Sequence, residues 1–290
     1  MYEAYWQLDS KPFAAAAAQG GAAFFAGQTH TGAQLKLRYA IEQRSAAAVL
    51  AGPAGVGKTL LVRRTLAELD PRSTPVAWVV FPQMSHRDLL AYLANRLGAP
   101  APEQATAAAH PNATAQHAAT QYTVDESILR LEHLFAGHQA AGRHAVLVID
   151  EAHLLEDTGL LETIRLLLNL GPDGRPTVTL LLVGQMGLLS ALGRTPALEE
   201  RVAVKSLLRP LSVDETGEYI RCRMEAAGAA REVFTGDAVE MMHALTGGVP
   251  RRIDRLGDLA LVVGFADGRP TIDDDHVESV SRELLSIAPE

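Results

Sequence analysis

Gly52-Pro53-Ala54-Gly55-Val56-Gly57-Lys58-Thr59 is the stretch of this chain whose residue types and spacing carry the plainest chemistry. Glycine, four residues, glycine, lysine and a hydroxyl residue describe a loop built to hold phosphate. Glycines let successive backbone N–H groups converge on phosphate oxygens where a Cβ would obstruct them. The positive end of the helix that follows, from about Leu60, adds to the attraction. Lys58 then supplies a point charge to the outer phosphates, and Thr59 offers its hydroxyl to Mg²⁺. A second stretch, Val146-Leu147-Val148-Ile149-Asp150-Glu151, ends an apolar run on two carboxylates 92 residues after Lys58. Asp150 suits a Mg²⁺ ligand acting through water, and Glu151 suits a general base that orients and deprotonates an attacking water. Together the two stretches imply a protein that binds Mg-ATP and has the groups to hydrolyse it.

Positioning these groups requires a parallel sheet. Short apolar runs at Ala46–Ala51, Val76–Phe81, Ala145–Asp150, Thr177–Val183 and Val204–Leu208 read as strands. Helical stretches alternate with them, at about 31–43, 60–69, 87–97, 124–139 and 158–170. Near-continuous apolar strands between helices describe an α/β fold whose sheet is covered on both faces. Ligands bind such sheets at the carboxyl ends of the strands, where Asp150 falls. From Ser212 the pattern turns wholly helical, opening on the capping box Ser212-Val-Asp-Glu215. Helices are expected near 236–246, 250–263 and 273–286, the last with Asp273, Asp274 and Asp275 at its positive end. The expected organisation is an irregular N-terminal extension over 1–30 that contributes to the nucleotide site, a core over 31–211 and an all-helical lid over 212–290. Within the core, 99–121 has almost no large apolar residue and reads as a flexible surface insertion.

Composition narrows the alternatives. Cys222 is the single cysteine, so no intramolecular disulfide is possible; it is expected as core filler in a helix, and the chain is expected in a reducing, cytoplasmic setting. No run approaches the roughly 20 apolar residues of a membrane span, and no secretory signal is expected. The net charge of −8 lies wholly in residues 213–290, which hold 8 Arg against 16 acidic residues, while 1–212 balance. Net charge therefore gives DNA binding no support, and any such surface must be a local patch. Arg63, Arg64, Arg130 and Arg143 are candidates for one, with solvated helix surface as the plainer reading. His133 and His138, five apart, are not spaced to share a metal. His153 reads as a neighbour of the carboxylates rather than a reacting group.

Beyond these motifs the chain resembles the AAA+ ATPases of the general secretion pathway protein A group, within the origin-recognition-like ATPases that share Asp150-Glu151-Ala152-His153. The likeness runs through Tyr5-x-x-Leu8, Pro12-Phe13, Phe24-Phe25, His30 and Ala40-Ile41-Glu42-x-Arg44. It continues through Leu182-Val-Gly-Gln185, Glu200-Arg201-Val202, Leu208-Arg-Pro-Leu211 and Gly247-Gly-Val-Pro-Arg251-Arg252-Ile253. It implies a P-loop core with a five-stranded parallel sheet sandwiched by helices, followed by a helical lid. It also implies Gln185 as a polar sensor of the γ-phosphate. Arg201 would be the arginine that reaches a neighbouring subunit's nucleotide, with Arg194 as competitor. Arg251 would contact the γ-phosphate from the lid, with Arg252 as alternative. The chain departs from the group at Ala14–Ala18, where an Asp-Pro stretch is usual, and it stops at Glu290, before the group's membrane and peptidoglycan-binding parts.

An arginine acting in trans implies a homo-oligomer, ring or helical. Three outputs of such an ATPase follow: control of a secretion, pilus or envelope assembly through a protein client, a DNA-associated helper of the transposition type, or an ATP-binding switch with negligible hydrolysis. Intact Lys58, Asp150 and Glu151 weigh against the last.

Overall fold

The computed structural model describes residues 1–14, 24–80, 82–100, 122–156, 158–170 and 176–286. Five strands form one sheet: β1 (Ala47–Ala51), β2 (Val76–Val79), β3 (Ala145–Ile149), β4 (Val178–Gly184) and β5 (Val202–Leu207). Their spatial order is β2-β3-β4-β1-β5 and every neighbouring pair is parallel. Every residue of the three central strands is buried, whereas β2 and β5 at the edges alternate with exposed positions. That contrast explains why the central strands read as unbroken apolar runs.

The chain divides into two compact units. The sheet unit comprises residues 32–52 and 61–207. Its core packs Val49, Leu147, Ile149, Leu180 and Leu182 of the strands with Leu89 and Leu93 of the helix His86–Arg96. Leu131 and Phe135 of the helix Val124–Ala140 and Ile164 of the helix Leu160–Leu167 join them. The helical unit comprises residues 1–31, 53–60 and 208–290. Its helices are Val213–Ala226, Gly236–Thr246, Pro250–Ala266 and Asp274–Ser286. The Ser212/Glu215 capping box forms as expected, and Asp273 accepts the His276 N–H at the start of the last helix.

Several expectations are corrected. The N-terminal segment contains a helical turn, Glu3–Trp6, and Trp6 is fully buried in the helical unit with Nε1 donating to the Leu261 carbonyl at 2.9 Å. A tertiary contact orders a stretch too short to announce itself by periodicity. The helix expected from residue 31 begins at Gln28, because the Glu215 carboxylate accepts the Gln28 N–H at 2.7 Å. The helix expected over 158–170 is confined to Leu160–Leu167 and is preceded by a 3₁₀ turn, Ala152–Leu155. Two short helices, Gly187–Gly193 and Pro196–Glu199, were not anticipated. The proposed insertion lies mostly outside the described residues. Its first two residues are ordered, since Ala99 is buried and Arg130 donates to the Ala99 and Pro100 carbonyls at 2.9 Å. Arg130 is therefore a buried structural residue over the Tyr122 ring, not solvated helix surface. His138 is buried and His133 exposed, so the two histidines do face different surroundings.

Candidate nucleotide and hydrolysis sites

In the helical unit the phosphate loop turns through Gly55 at φ +84° and Gly57 at φ +93°, left-handed conformations that only glycine adopts without strain. The loop is tethered on two carbonyls. The Arg251 N–H donates to the Gly55 carbonyl at 3.2 Å, and His30 Nε2 lies 2.8 Å from the Val56 carbonyl. Lys58 is buried, and its ammonium donates to the Pro53 carbonyl at 2.8 Å, drawing the side chain back over its own loop. Lys58 opens the helix Lys58–Ala67, so Thr59 and Leu60 occupy its first turn, where N–H groups have no partner within the helix. Gly52 closes β1 and donates its N–H to the Gly184 carbonyl, while Pro53, Ala54 and Val56 complete the turn. These groups suit a polyphosphate: backbone N–H groups, one ammonium and one hydroxyl, with no carboxylate within the loop to repel it.

The sheet unit presents a second cluster at the carboxyl edge of adjacent β3 and β4. Asp150 follows β3, is 5% exposed, and accepts the Glu151 N–H at 3.0 Å. Glu151 sits at φ 51°, ψ 34°, a left-handed conformation that costs a non-glycine residue about 1 kcal/mol or more. That turn sets the Glu151 side chain apart from Asp150 and leaves it 46% exposed. Gln185 follows β4 and is exposed. His153 stands between these two groups. Its Nδ1 lies 3.4 Å from the Gln185 N–H and 3.4 Å from Glu151 Oε2. The Gln185 amide needs a lone pair there and the Glu151 carboxylate needs a proton, so one nitrogen serves one of them at a time. Gly184 makes the approach possible, because a Cβ there would meet the His153 backbone nitrogen at 3.1 Å. The sequence reads His153 only as a neighbour of the carboxylates; its contact with both candidate residues had no sequence signal, because it depends on the register of β3 and β4.

The candidate arginines differ in their engagement. Arg194 is ion-paired with Glu156 at the surface. Arg201 is half-buried just before β5, and its guanidinium has no hydrogen bond or ion pair among the described residues. Arg251 and Arg252 are both exposed in the first turn of the helix Pro250–Ala266. Among the described residues there is no group of three or more His, Cys, Asp or Glu that could hold a metal.

Comparison with known proteins agrees with the fold. The AAA domain family matches residues 41–192, just over half of the chain. This chain belongs to the AAA family. It is 31% identical over 298 residues to General secretion pathway protein A of Aeromonas hydrophila, a match covering 100% of this chain and 50% of that one. The chain thus spans half the length of that curated relative. The CDC6P structure from Pyrobaculum aerophilum superposes with a TM-score of 0.69 at 18% identity, covering 97% of this AAA chain and 75% of the other. The Aeropyrum pernix ORC2 protein, solved as ADPNP-ADP complexes, gives a TM-score of 0.67 at 17% identity over 97% and 73%. At these identities the structural likeness establishes the shared AAA+ fold, a parallel sheet with flanking helices and a helical C-terminal region. Among the described residues of this AAA protein no helix is long and apolar enough to cross a membrane.

Proposed function

We propose that this protein is a Mg-ATP hydrolase whose nucleotide cycle controls the assembly or remodelling of a protein complex of the secretion, pilus or envelope type. In this reading Gly52–Leu60 wrap the phosphates, Lys58 neutralises their outer charge, and Thr59 and Asp150 hold the magnesium. Mg-ATP, when bound, supplies the activated phosphoanhydride and the counter-charge. Glu151 orients the attacking water and accepts its proton, and Gln185 aligns that water against the γ-phosphate. Arg251 contributes positive charge from the helical lid over 212–290, beside an N-terminal extension over 1–30 that supports the nucleotide site. The observation that carries hydrolysis over simple binding is the placement of Glu151 and Gln185 on one sheet edge, each 3.4 Å from the same His153 nitrogen. A phosphate binder alone has no need of that arrangement.

Arg201 is assigned the role of completing the site of a neighbouring copy, which makes the active form a homo-oligomer, ring or helical. Its uncommitted guanidinium favours it over Arg194, which is already paired with Glu156. The protein client is inferred from the relative named above, and cytoplasmic action follows from where ATP is supplied. A DNA-linked output has only the fold in its favour.

Steady-state ATP hydrolysis with and without duplex DNA tests the reading. Hydrolysis that requires Mg²⁺ and that DNA leaves unchanged is the expected result. Hydrolysis raised by DNA in a salt-sensitive manner would shift the output to a DNA-associated helper. Arg201→Ala subunits should regain turnover when mixed with Lys58→Ala subunits, since each supplies what the other lacks. Absence of any such rescue would remove Arg201 from the trans role.

A further inference from the structure

His30 belongs to no part of the hydrolysis chemistry, yet it is 4% exposed and directed at the phosphate loop. The Val56 carbonyl can only accept, so His30 Nε2 carries the proton of their 2.8 Å contact. Its Nδ1 is buried with no hydrogen-bond partner among the described residues, so the ring's one hydrogen bond is the contact to the loop. The position of the histidine is itself secured. Glu215, fixed in its capping box, accepts the Gln28 N–H at 2.7 Å, and the His30 N–H donates to the Gly27 carbonyl at 3.0 Å.

Peptide planarity converts these contacts into a statement about donors. In a trans peptide the C=O and the following N–H point in opposite directions, and this chain has no cis peptide bond among the described residues. Holding the Val56 carbonyl toward His30 therefore turns the Gly57 N–H the other way. Holding the Gly55 carbonyl toward the Arg251 N–H does the same for the Val56 N–H. Val249 and Arg251 also back the outer side of Gly55, where an added Cβ would meet both at 3.0 Å. Two successive loop amides are thus oriented by hydrogen bonds made on the opposite side of the chain.

We infer that His30 is a positioning residue for phosphate binding, which with the Arg251 backbone amide fixes the Val56 and Gly57 N–H groups in the orientation a nucleoside diphosphate or triphosphate requires. This rests on the reading that the loop binds nucleotide. It gives Arg251 a backbone role separate from any its side chain has. The Gln28–Glu42 helix and the start of the Pro250–Ala266 helix become two clamps on one loop.

The test is titration of the whole protein with Mg-ADP and Mg-ATP, for wild type, His30→Phe and His30→Gln. Phenylalanine keeps the buried volume without the donor, and glutamine keeps an N–H. His30→Phe should weaken both nucleotides by about tenfold, the worth of one hydrogen bond that orders two others. It should raise KM for ATP while leaving kcat within about twofold, and His30→Gln should recover most of the affinity. A purely structural role would lower stability without that split or that rescue. In wild type, ¹⁵N NMR should find His30 protonated at Nε2 alone, a result independent of how the variants fold. Unchanged ADP affinity in a folded His30→Phe, or an unprotonated Nε2, overturns the inference alone. Wild-type protein that binds neither nucleotide overturns the nucleotide reading along with it.

Discussion

The phosphate loop and the sheet edge at Asp150–Gln185 are both candidate reaction machinery, and they are held differently. The loop is fixed by short contacts to buried or backbone partners: Arg251 N–H to Gly55 and His30 to Val56. The edge relies on one histidine nitrogen at 3.4 Å from each of two groups, with Glu151 half-exposed on a strained backbone. The proposed phosphate loop is thus held at two carbonyls, whereas the proposed hydrolytic edge shares a single nitrogen between two longer contacts. In the proposed oligomer this division would have a use, since nucleotide would be held before a neighbouring Arg201 completes the site.

The largest expected effect separates the two regions outright. Glu151→Gln should lower turnover by about 10²- to 10⁴-fold, the range for loss of a general base, while nucleotide affinity measured by titration stays near wild type. Loss of both together would mean that the regions are not independent.

Acid should reach the sheet before the loop. His144 lies at the foot of β3, donating from Nε2 to Thr179 Oγ1 at 2.7 Å, and that hydroxyl donates on to the Ser45 carbonyl. Burial first, then the charge of Arg44 and the nearby His138, lower the His144 pKa from 6.5 to about 4. Burial first, then Arg143, also lowers that of His138. Because the folded pKa is depressed, these rings favour the folded state fully above about pH 6.5. Between 6.5 and 4 the unfolded chain takes up protons that the folded chain refuses, so stability falls with pH, by at most about 3 kcal/mol from His144. Urea unfolding across that range should show the loss, with hydrogen exchange rising in β3 before the Pro250–Ala266 helix. A pH-independent midpoint, or removal of the slope by no His144 substitution, would count against this anchor.

Gly55→Ala probes the loop directly. Forcing φ +84° on an alanine costs about 1–2 kcal/mol, so ADP affinity should fall by about five- to thirtyfold with turnover at saturating ATP nearly kept. An unaffected affinity would show that the loop rearranges on binding. The smallest effect is expected for His153→Ala. Its two long contacts predict a fall in kcat of about two- to threefold at unchanged KM, the low end for a hydrogen bond. A far larger fall would place the edge on the same tight footing as the loop.

Some of this was written in the chain order. Strand positions were legible because burial on both faces demands uninterrupted apolar runs, as at Val146–Ile149, and the Ser212–Glu215 capping box declares a helix start through local hydrogen bonds alone. The proposed phosphate loop could be read for the same reason, since its glycines, lysine and threonine would act within eight consecutive residues. What escaped depended on partners far along the chain. Trp6 is buried by Leu261 and its neighbours, Arg130 by the carbonyls of residues 99 and 100, and His30 acts on a carbonyl 26 residues away. The single nitrogen of His153 between Glu151 and Gln185 exists only because β3 and β4 pair in a particular register. Sequence alone determined that this protein can hold a nucleotide's phosphates, because that chemistry is local. Tertiary structure decided which groups contact the loop and Glu151, because those contacts join residues that only folding brings within reach.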